Sequence, residues 1–166
     1  HSGKAENRKE LGLLASFHPN TFVVGSATAM QGHFLRATME MLNYHDGPAL
    51  MDVYTPCQGE HGIGDNMANR RGRLAVESRM APLFVHDPRR GEALHDWFDL
   101  DGNPDPGRTW TTQTIEYIDD GGQLGLFECP LTPATFALGE TRFVKQFSKL
   151  PLELDAIAVP VEEYID

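Results

Sequence analysis

A thiol, a carboxylate and an imidazole fall within five positions of one another at Cys57, Glu60 and His61. Three glycines lie between positions 59 and 64, and glycine lets a backbone approach a ligand closely. A thiolate is a ligand for metals and iron–sulfur clusters, or a nucleophile. The alternative is that Cys57 is a small buried apolar residue, the commonest role of a free cysteine, and spacing alone favours it. No Cys-x-x-Cys pair occurs, so any cluster here would take its other ligands from elsewhere.

The neighbouring polar residues admit a second kind of chemistry. Glu60, His61 and Asp65 could form the metal site of a small hydrolase or an acid–base pair. Loop carboxylates and imidazoles are ordinary on protein surfaces, so a solvated loop is the simpler interpretation. The patterns GxSxG, HExxH, GxGxxG and GxxxxGK[ST] are all absent from the sequence, which gives no support to other common catalytic or phosphate-binding sites.

The loop follows a predicted strand. Leu50, Val53 and Tyr54 suit a buried strand, and Pro56 ends it. In open α/β sheets, the loops at the carboxyl ends of parallel strands carry the chemistry. The loop is therefore placed where a functional site is expected.

The first half of the chain alternates predicted helices and strands. Leu11, Leu14 and Phe17 define the apolar face of a helix over residues 5–17. A second helix reaches about residue 45, and a third spans about residues 67–80 with Leu74, Ala75 and Ser78 inward. The apolar stripe of the second helix is Met30, Phe34, Ala37 and Met41. Short strands at residues 21–26 and 83–86 complete the alternation, which predicts an α/β fold with a parallel sheet and crossover helices.

The second half has a different pattern. Residues 97–100 suggest a short strand, and residues 101–107 are dense in turn formers. Alternating residues at 111–118 and 124–129, separated by Asp-Asp-Gly-Gly, predict a β-hairpin. Thr132 and Pro133 are in the preferred order to open a C-terminal helix. The stripe of that helix is Phe136, Phe143, Phe147 and Leu150. We predict an α/β unit over residues 1–90 and a C-terminal extension over residues 91–166 that packs on it.

Two further features could bind an anion or an acidic partner. Ser26 or Thr28 could cap the second helix, and free N–H groups there could receive an anion; a plain cap is the simpler interpretation. Residues 70–90 carry a concentration of arginines, predicting either a positive patch or a solvated helix face. The arginines are Arg70, Arg71, Arg73, Arg79, Arg89 and Arg90. His33, His45, His86 and His95 form no ligand spacing and are interpreted as structural or solvated.

Composition excludes several classes of protein. The 166 residues carry a net charge of −10, which argues against a general nucleic-acid binder. No apolar run approaches membrane-spanning length. The two cysteines, Cys57 and Cys129, form no secreted disulfide framework, so a cytoplasmic setting is expected. The chain begins at His1 and not at a methionine, and we expect it to be a piece of a longer polypeptide.

Taken in order, these segments resemble the 2-oxoacid:ferredoxin oxidoreductases, the pyruvate:ferredoxin oxidoreductase family. The motifs with the clearest likeness are Asp-Gly-Pro-Ala-Leu at 46–50, Tyr-Thr-Pro-Cys at 54–57 and His-Gly-Ile at 61–63. Residues 3–12, 21–30, 73–78 and 82–88 also look like the later part of the family's thiamine-diphosphate-binding domain. The likeness is weaker at 132–137 and 142–143, where it is to a divergent branch. This chain has one residue more than the usual motif between Cys57 and His61.

The resemblance implies a function for the parent protein. Such an enzyme oxidatively decarboxylates a pyruvate-like 2-oxoacid on thiamine diphosphate and Mg²⁺. Its [4Fe–4S] clusters pass electrons to ferredoxin or flavodoxin, and coenzyme A accepts the acyl group. The resemblance also implies that Cys57 is a ligand of one [4Fe–4S] cluster, and that Thr28 and Met30 lie at the pocket rim. It assigns no catalytic residue to this chain.

The family's GDG and NTGGQ-like motifs are absent, so the piece alone should be inactive and hold no cofactor tightly. Its partners would be the rest of the parent polypeptide, in a homodimer. The alternative is a non-catalytic α/β module that packs on a partner through an apolar face.

Overall fold

The structure, a computed structural model, describes residues 9–119 and 121–143. The helices are α1 (Leu11–Ser16), α2 (Gln31–Leu42), α3 (Gln58–His61), α4 (Ala68–Glu77) and α5 (Pro133–Leu138). The strands are β1 (Phe22–Ala27), β2 (Ala49–Tyr54), β3 (Phe84–His86), β4 (Phe98–Asp99), β5 (Thr112–Ile118) and β6 (Leu124–Pro130). Two 3-10 turns lie at Leu94–Trp97 and Thr141–Phe143.

One mixed sheet organises the first part of the chain, in the order β2-β1-β3-β4. β1 and β2 are parallel, in register from Phe22 opposite Ala49 to Ala27 opposite Tyr54. Helix α2 connects them, since parallel neighbours need a crossover. The predicted α/β class and this crossover are confirmed.

The expectation that the third strand is also parallel is wrong. β3 pairs antiparallel with β1, and β4 pairs antiparallel with β3. After α4 the chain turns at Arg79, whose φ is 60°, and re-enters the sheet at Phe84. An alternation of helices and strands in sequence does not determine the direction in which a strand enters the sheet.

Burial differs sharply between the two parallel strands. Every residue of β1 is buried, because this strand has neighbours on both sides and helices on both faces. β2 is an edge strand and is at most half-buried, with Leu50, Val53 and Tyr54 all in the intermediate range. The prediction of a fully buried strand before the loop is therefore wrong, because β2 lacks an outer neighbour among the described residues.

Many apolar side chains of the first two helices are exposed. Of the helix predicted over residues 5–17, residues 5–8 lie outside the described residues, and α1 itself is Leu11–Ser16. Its buried residues are Gly12 and Ser16, whereas the predicted apolar face is exposed. A Cβ on Gly12 would lie 2.8 Å from Cζ of Phe84, so the glycine permits close packing of α1 on the sheet. The exposed large apolar side chains of the two helices, with the residue that follows α1, are Leu11, Leu13, Leu14, Phe17, Leu35, Met39 and Leu42. The apolar stripe predicted for α2 is confirmed at Ala37 and Met41, which pack in the core with Phe22 and Val24.

In the second half, the predicted hairpin and helix start are confirmed, but the helix is shorter than predicted. Helix α5 ends at Leu138 and Phe143 lies in the 3-10 turn after it, so the predicted place of Phe143 on the helix stripe is wrong. β5 and β6 pair as an antiparallel hairpin, with Thr112 opposite Pro130 and Ile118 opposite Leu124. Thr132 caps α5 by accepting a hydrogen bond from the Thr135 N–H, and Pro133 occupies the first turn. Phe147 and Leu150, predicted for the same helix, lie outside the described residues. No helix in the described ranges is long and apolar enough to cross a membrane.

Candidate functional site

A cleft of about 410 Å³ opens at the carboxyl ends of the two parallel strands. Gly25 and Ser26 of β1 line it, together with residues 52–55 at the end of β2. His61, the last residue of α3, forms part of the wall. This is where open α/β sheets bind ligands, so the loop stands at the expected edge of the sheet.

Cys57 lies at the start of the loop, with an exposed, unbridged thiol. It is the residue before α3, with extended backbone (φ −102°, ψ 115°). The alternative of a buried cysteine is therefore wrong for Cys57. Cys129 is the buried cysteine, and its burial raises the pKa of its thiol.

The donor set around Cys57 is incomplete. Within residues 9–119 and 121–143, no group of three or more His, Cys, Asp or Glu side chains could hold a metal ion. Glu60 and Asp65 are exposed, whereas His61 is buried, so these residues do not converge on a hydrolase-type metal site. The exposed thiol of Cys57 could supply one ligand to a cluster, and the other ligands would have to come from outside the described residues.

The imidazole of His61 belongs to a group of ionisable side chains that we call the ion cluster: Tyr54, His61, Arg71, Glu140 and Arg142. Nε of Arg142 donates a 2.6 Å hydrogen bond to Oε2 of Glu140. Oε1 of Glu140 lies 3.5 Å from both Nδ1 of His61 and Nη2 of Arg71. Nη2 of Arg71 also donates to the Phe136 carbonyl at 2.6 Å, with its guanidinium 4.2 Å from the centre of the Phe136 ring.

The ion cluster shifts the protonation equilibria beside the cleft. Burial, followed by the positive charge of Arg142, lowers the pKa of His61 from its ordinary value of 6.5. The imidazole is therefore mainly neutral at pH 7. Burial, followed by the charge of Glu140, raises the pKa of the Tyr54 phenol, so this group stays protonated.

Sequence reasoning missed the partners of His61. Arg71 was counted as part of an exposed arginine run, yet it lies on the buried stripe of α4 with Ala75. A helical spacing of four from Ala75 is the signal that could have placed it inward. Glu140 and Arg142 follow α5, and no local pattern connects them to His61, which lies 79 residues before Glu140.

Ser26, near the end of β1, and the residues that follow this strand have different contacts from those predicted. Oγ of Ser26 forms a 3.0 Å hydrogen bond with Nδ1 of His33, and no side chain caps α2, so capping by Ser26 or Thr28 is wrong. The N–H of Thr28 donates to the Tyr54 carbonyl at 3.1 Å, so it is not free for an anion. Met30 packs against Ala27 and its core neighbours. Thr28 and Met30 are outside the cleft lining, and their place at a pocket rim stays a prediction.

The arginines do not form one positive patch. Three of the six are paired with carboxylates, which offset their charge, and a fourth, Arg79, lies over an aromatic ring. The contacts join Arg71 to Glu140, Arg79 to the Trp110 ring, Arg89 to Asp87, and Arg90 to Glu40 and Asp99. Arg70 and Arg73 are exposed, so any basic surface on this segment is smaller than the sequence predicts.

Comparison with known proteins tests the family resemblance found in the sequence. No family model matches the chain. Pyruvate:ferredoxin oxidoreductase of Moorella thermoacetica is 33% identical to it over 161 residues, which cover 96% of this chain and 12% of that protein. Pyruvate synthase subunit PorB of Thermotoga maritima is 26% identical over 82 residues, which cover 49% of this chain and 25% of that subunit. The resemblance to the 2-oxoacid:ferredoxin oxidoreductases is confirmed.

The extent of the match matters for the site. Because the first alignment covers 96% of the chain, both Cys57 and the ion cluster lie within the stretch shared with that oxidoreductase. The chain nevertheless spans only 12% and 25% of the lengths of these two relatives. The chain is therefore similar to a part of each of these two proteins.

Proposed function

We propose that this chain is part of a 2-oxoacid:ferredoxin oxidoreductase, which oxidatively decarboxylates a pyruvate-like 2-oxoacid. The observation that carries the proposal is the 33% identity over 96% of the chain to a pyruvate:ferredoxin oxidoreductase. The cleft at the carboxyl ends of β1 and β2 supports it, because this edge is the usual ligand-binding edge of the fold class.

The proposed cofactors are thiamine diphosphate with Mg²⁺ and [4Fe–4S] clusters. Thiamine diphosphate, when bound, supplies the carbanion-stabilising chemistry, and the polypeptide supplies orientation and a path for electrons. The sequence lacks the GDG and NTGGQ-like motifs, so the diphosphate site belongs to other parts of the parent polypeptide. This chain alone is expected to be inactive.

We propose that Cys57 is one ligand of a [4Fe–4S] cluster. Its thiol is exposed and free, and it precedes a short helix whose other end lines the cleft. The neutral His61 adds no charge to that wall of the cleft. Thr28 and Met30 would lie at the rim of the pocket completed by the rest of the enzyme.

The proposed partners follow from the same reaction. They are the remaining parent polypeptide, ferredoxin or flavodoxin as electron acceptor, the 2-oxoacid, and coenzyme A as acyl acceptor. The parent would be a homodimer in the cytoplasm, a compartment consistent with two free cysteines. Within the chain, residues 1–90 would form part of the thiamine-diphosphate domain and residues 91–166 an extension packed on it.

The decisive experiment uses the full-length parent protein purified without oxygen. Iron, acid-labile sulfide and 2-oxoacid-dependent reduction of ferredoxin are measured for wild type, Cys57→Ser and the matched control Cys129→Ser. We expect Cys57→Ser to lose about four iron atoms per polypeptide, the content of one cubane cluster. Unchanged iron in Cys57→Ser would remove Cys57 from the ligand set. A wild-type protein without 2-oxoacid-dependent electron transfer would refute the enzymatic proposal.

The second candidate function is a non-catalytic α/β module. The exposed apolar side chains on α1 and α2 favour it, since they suit packing against another polypeptide. The same surface is also expected where a piece of a larger enzyme meets the rest of it. Absence of both iron and electron transfer in the full-length protein would leave this second function as the better account.

A further inference from the structure

Glu140 is the acidic residue of the ion cluster, and its side chain is fully buried. Its carboxylate has two cationic partners on different segments: Oε2 accepts the hydrogen bond from Arg142, and Oε1 lies 3.5 Å from Nη2 of Arg71. Oε1 also lies 3.5 Å from Nδ1 of the neutral His61 on α3, a close polar contact and not a hydrogen bond. An ionised carboxylate is costly to bury without such partners. Glu140 is therefore fixed in position, and it fixes the groups around it.

A second contact joins the same two regions. Oγ1 of Thr141 donates a 2.8 Å hydrogen bond to the carbonyl of Gly62, the residue that ends α3. Gly62 has a φ of 63°, and a Cβ at this position would collide with Cβ of Thr141. The backbone at the end of α3 thus lies directly against the segment that carries Glu140.

Within the described part of the chain, no comparable side-chain contact holds Cys57 itself. Its thiol makes no capping hydrogen bond with α3. Its carbonyl accepts a 2.9 Å hydrogen bond from the His61 N–H, and the Gln58 carbonyl accepts one of 3.1 Å from the Ile63 N–H. The position of Cys57 is therefore set by the backbone of α3, whose far end is held by Glu140 and Thr141.

We propose that Glu140 is a positioning residue for the loop that carries Cys57. It acts through His61, and the neighbouring Thr141 acts through Gly62, so that α3 and the cysteine before it keep one position. Holding the loop depends only on contacts within this chain. The consequence for an iron–sulfur cluster rests on the function proposed above.

The first test measures amide hydrogen exchange in the full-length parent protein. The variants are Glu140→Gln, which removes the charge, and Thr141→Val, which removes the hydroxyl donor. Glu128→Gln, an exposed glutamate on β6, is the matched control. In both test variants we expect exchange of residues 58–63 to accelerate at least about tenfold, which corresponds to about 1.4 kcal/mol of lost local stability. Exchange in β1 should change much less, and Glu128→Gln should match wild type.

Two results of this test would overturn the proposal. One is unchanged exchange of residues 58–63 in the folded Glu140→Gln or, if that variant does not fold, in Thr141→Val. The other is an equal acceleration in β1 and in the loop, which would show that Glu140 only stabilises the protein as a whole. Thr141→Val keeps the buried carboxylate and its cationic partners, so it is the variant more certain to fold.

The second test concerns the cluster. In the reduced full-length protein we expect Glu140→Gln to alter the electron paramagnetic resonance spectrum assigned to the Cys57 cluster, with Glu140→Asp restoring most of the wild-type signal. Identical spectra in wild type and Glu140→Gln would show that Glu140 does not affect the cluster. That result would overturn this part of the inference. A wild-type protein without iron would instead refute the proposed function, whereas the exchange result would still decide whether Glu140 holds the loop.

Discussion

The carboxyl ends of β1 and β2 are built on the same plan and stabilised in different ways. Each end is followed by a buried histidine: His33 lies six residues after Ala27, and His61 lies seven residues after Tyr54. At the end of β1, Ser26 and His33 bond to each other at 3.0 Å. At the end of β2, His61 lies 3.5 Å from Glu140, which is 79 residues further along the chain.

The difference separates local from long-range control of a site. At the end of β1, the strand and the following helix α2 are joined by the hydrogen bond between Ser26 and His33. The β2 end depends on α4, on the turn after α5 and on charges that compensate one another only when all are in place. We therefore expect substitutions near the end of β2 to cost more, and to act over a longer distance, than those near the end of β1.

The largest effect is expected for Arg71→Met. This substitution keeps much of the contact with Phe136 but leaves its carbonyl without the 2.6 Å hydrogen bond and Glu140 with one cation fewer. Removing one partner of a buried ion pair costs about 3–5 kcal/mol. Urea unfolding should show that loss, whereas the matched control Arg70→Met, at an exposed position, should stay within about 0.5 kcal/mol of wild type.

A smaller loss is expected for Gly62→Ala. The φ of 63° is unfavourable for alanine, and its Cβ would collide with Thr141. Strain of this kind costs about 1–3 kcal/mol. Gly59→Ala is the control, because a Cβ there meets nothing within 4 Å and alanine favours the helix. Equal unfolding midpoints for the two variants would contradict the close contact between α3 and the turn after α5.

At the end of β1, Ser26→Ala tests the local hydrogen bond. Removing the hydroxyl leaves Nδ1 of the buried His33 without its 3.0 Å partner. The expected cost is about 1 kcal/mol, typical of one neutral hydrogen bond. A loss of unfolding free energy as large as that of Arg71→Met would show that substitutions at the two strand ends cost the same. That result would contradict the difference between the ends of β1 and β2.

The smallest effect near neutral pH is a pH dependence shared by both ends. Burial is the first cause that lowers the pKa of each histidine from 6.5. The unfolded chain then binds more protons than the folded one, so stability is complete above pH 6.5 and falls as the pH drops towards each folded-state pKa. The slope is at most about 1.4 kcal/mol per pH unit for each histidine.

Urea unfolding between about pH 7.5 and about pH 5 measures this slope. His33→Asn should flatten it by removing one of the two contributions while leaving His61 in place. A steeper slope in the variant than in wild type would contradict the lowered pKa of His33 in the folded protein.

What the sequence predicts well is local. The crossover from β1 to β2, the hairpin around the Asp-Asp-Gly-Gly turn and the Thr132–Pro133 helix start all depend on residues close in sequence. The motif around Cys57 was placed correctly after a strand and beside a cleft. Each of these features follows from the periodicity or turn chemistry of a short segment.

What the sequence does not predict depends on neighbours that are distant in the chain. The direction of β3 is set by pairing across the sheet and not by its three residues. Arg71 belongs to a basic run by composition but packs inward, because Glu140 and the Phe136 carbonyl are there to meet it. The apolar residues of α1 are exposed and its small residues Gly12 and Ser16 are buried, because α1 packs closely on Phe84, a contact that helical spacing does not reveal.

The outer edge of β2 has a consequence for handling the chain. Among the described residues no strand pairs with this edge, and β2 is the last strand on its side of the sheet. Unpaired N–H and C=O groups along a six-residue strand are a template on which another extended segment can add. In a preparation of this chain by itself, copies are therefore prone to associate as the concentration rises. A strand that pairs with the outer edge of β2 would make the chain easier to keep in solution.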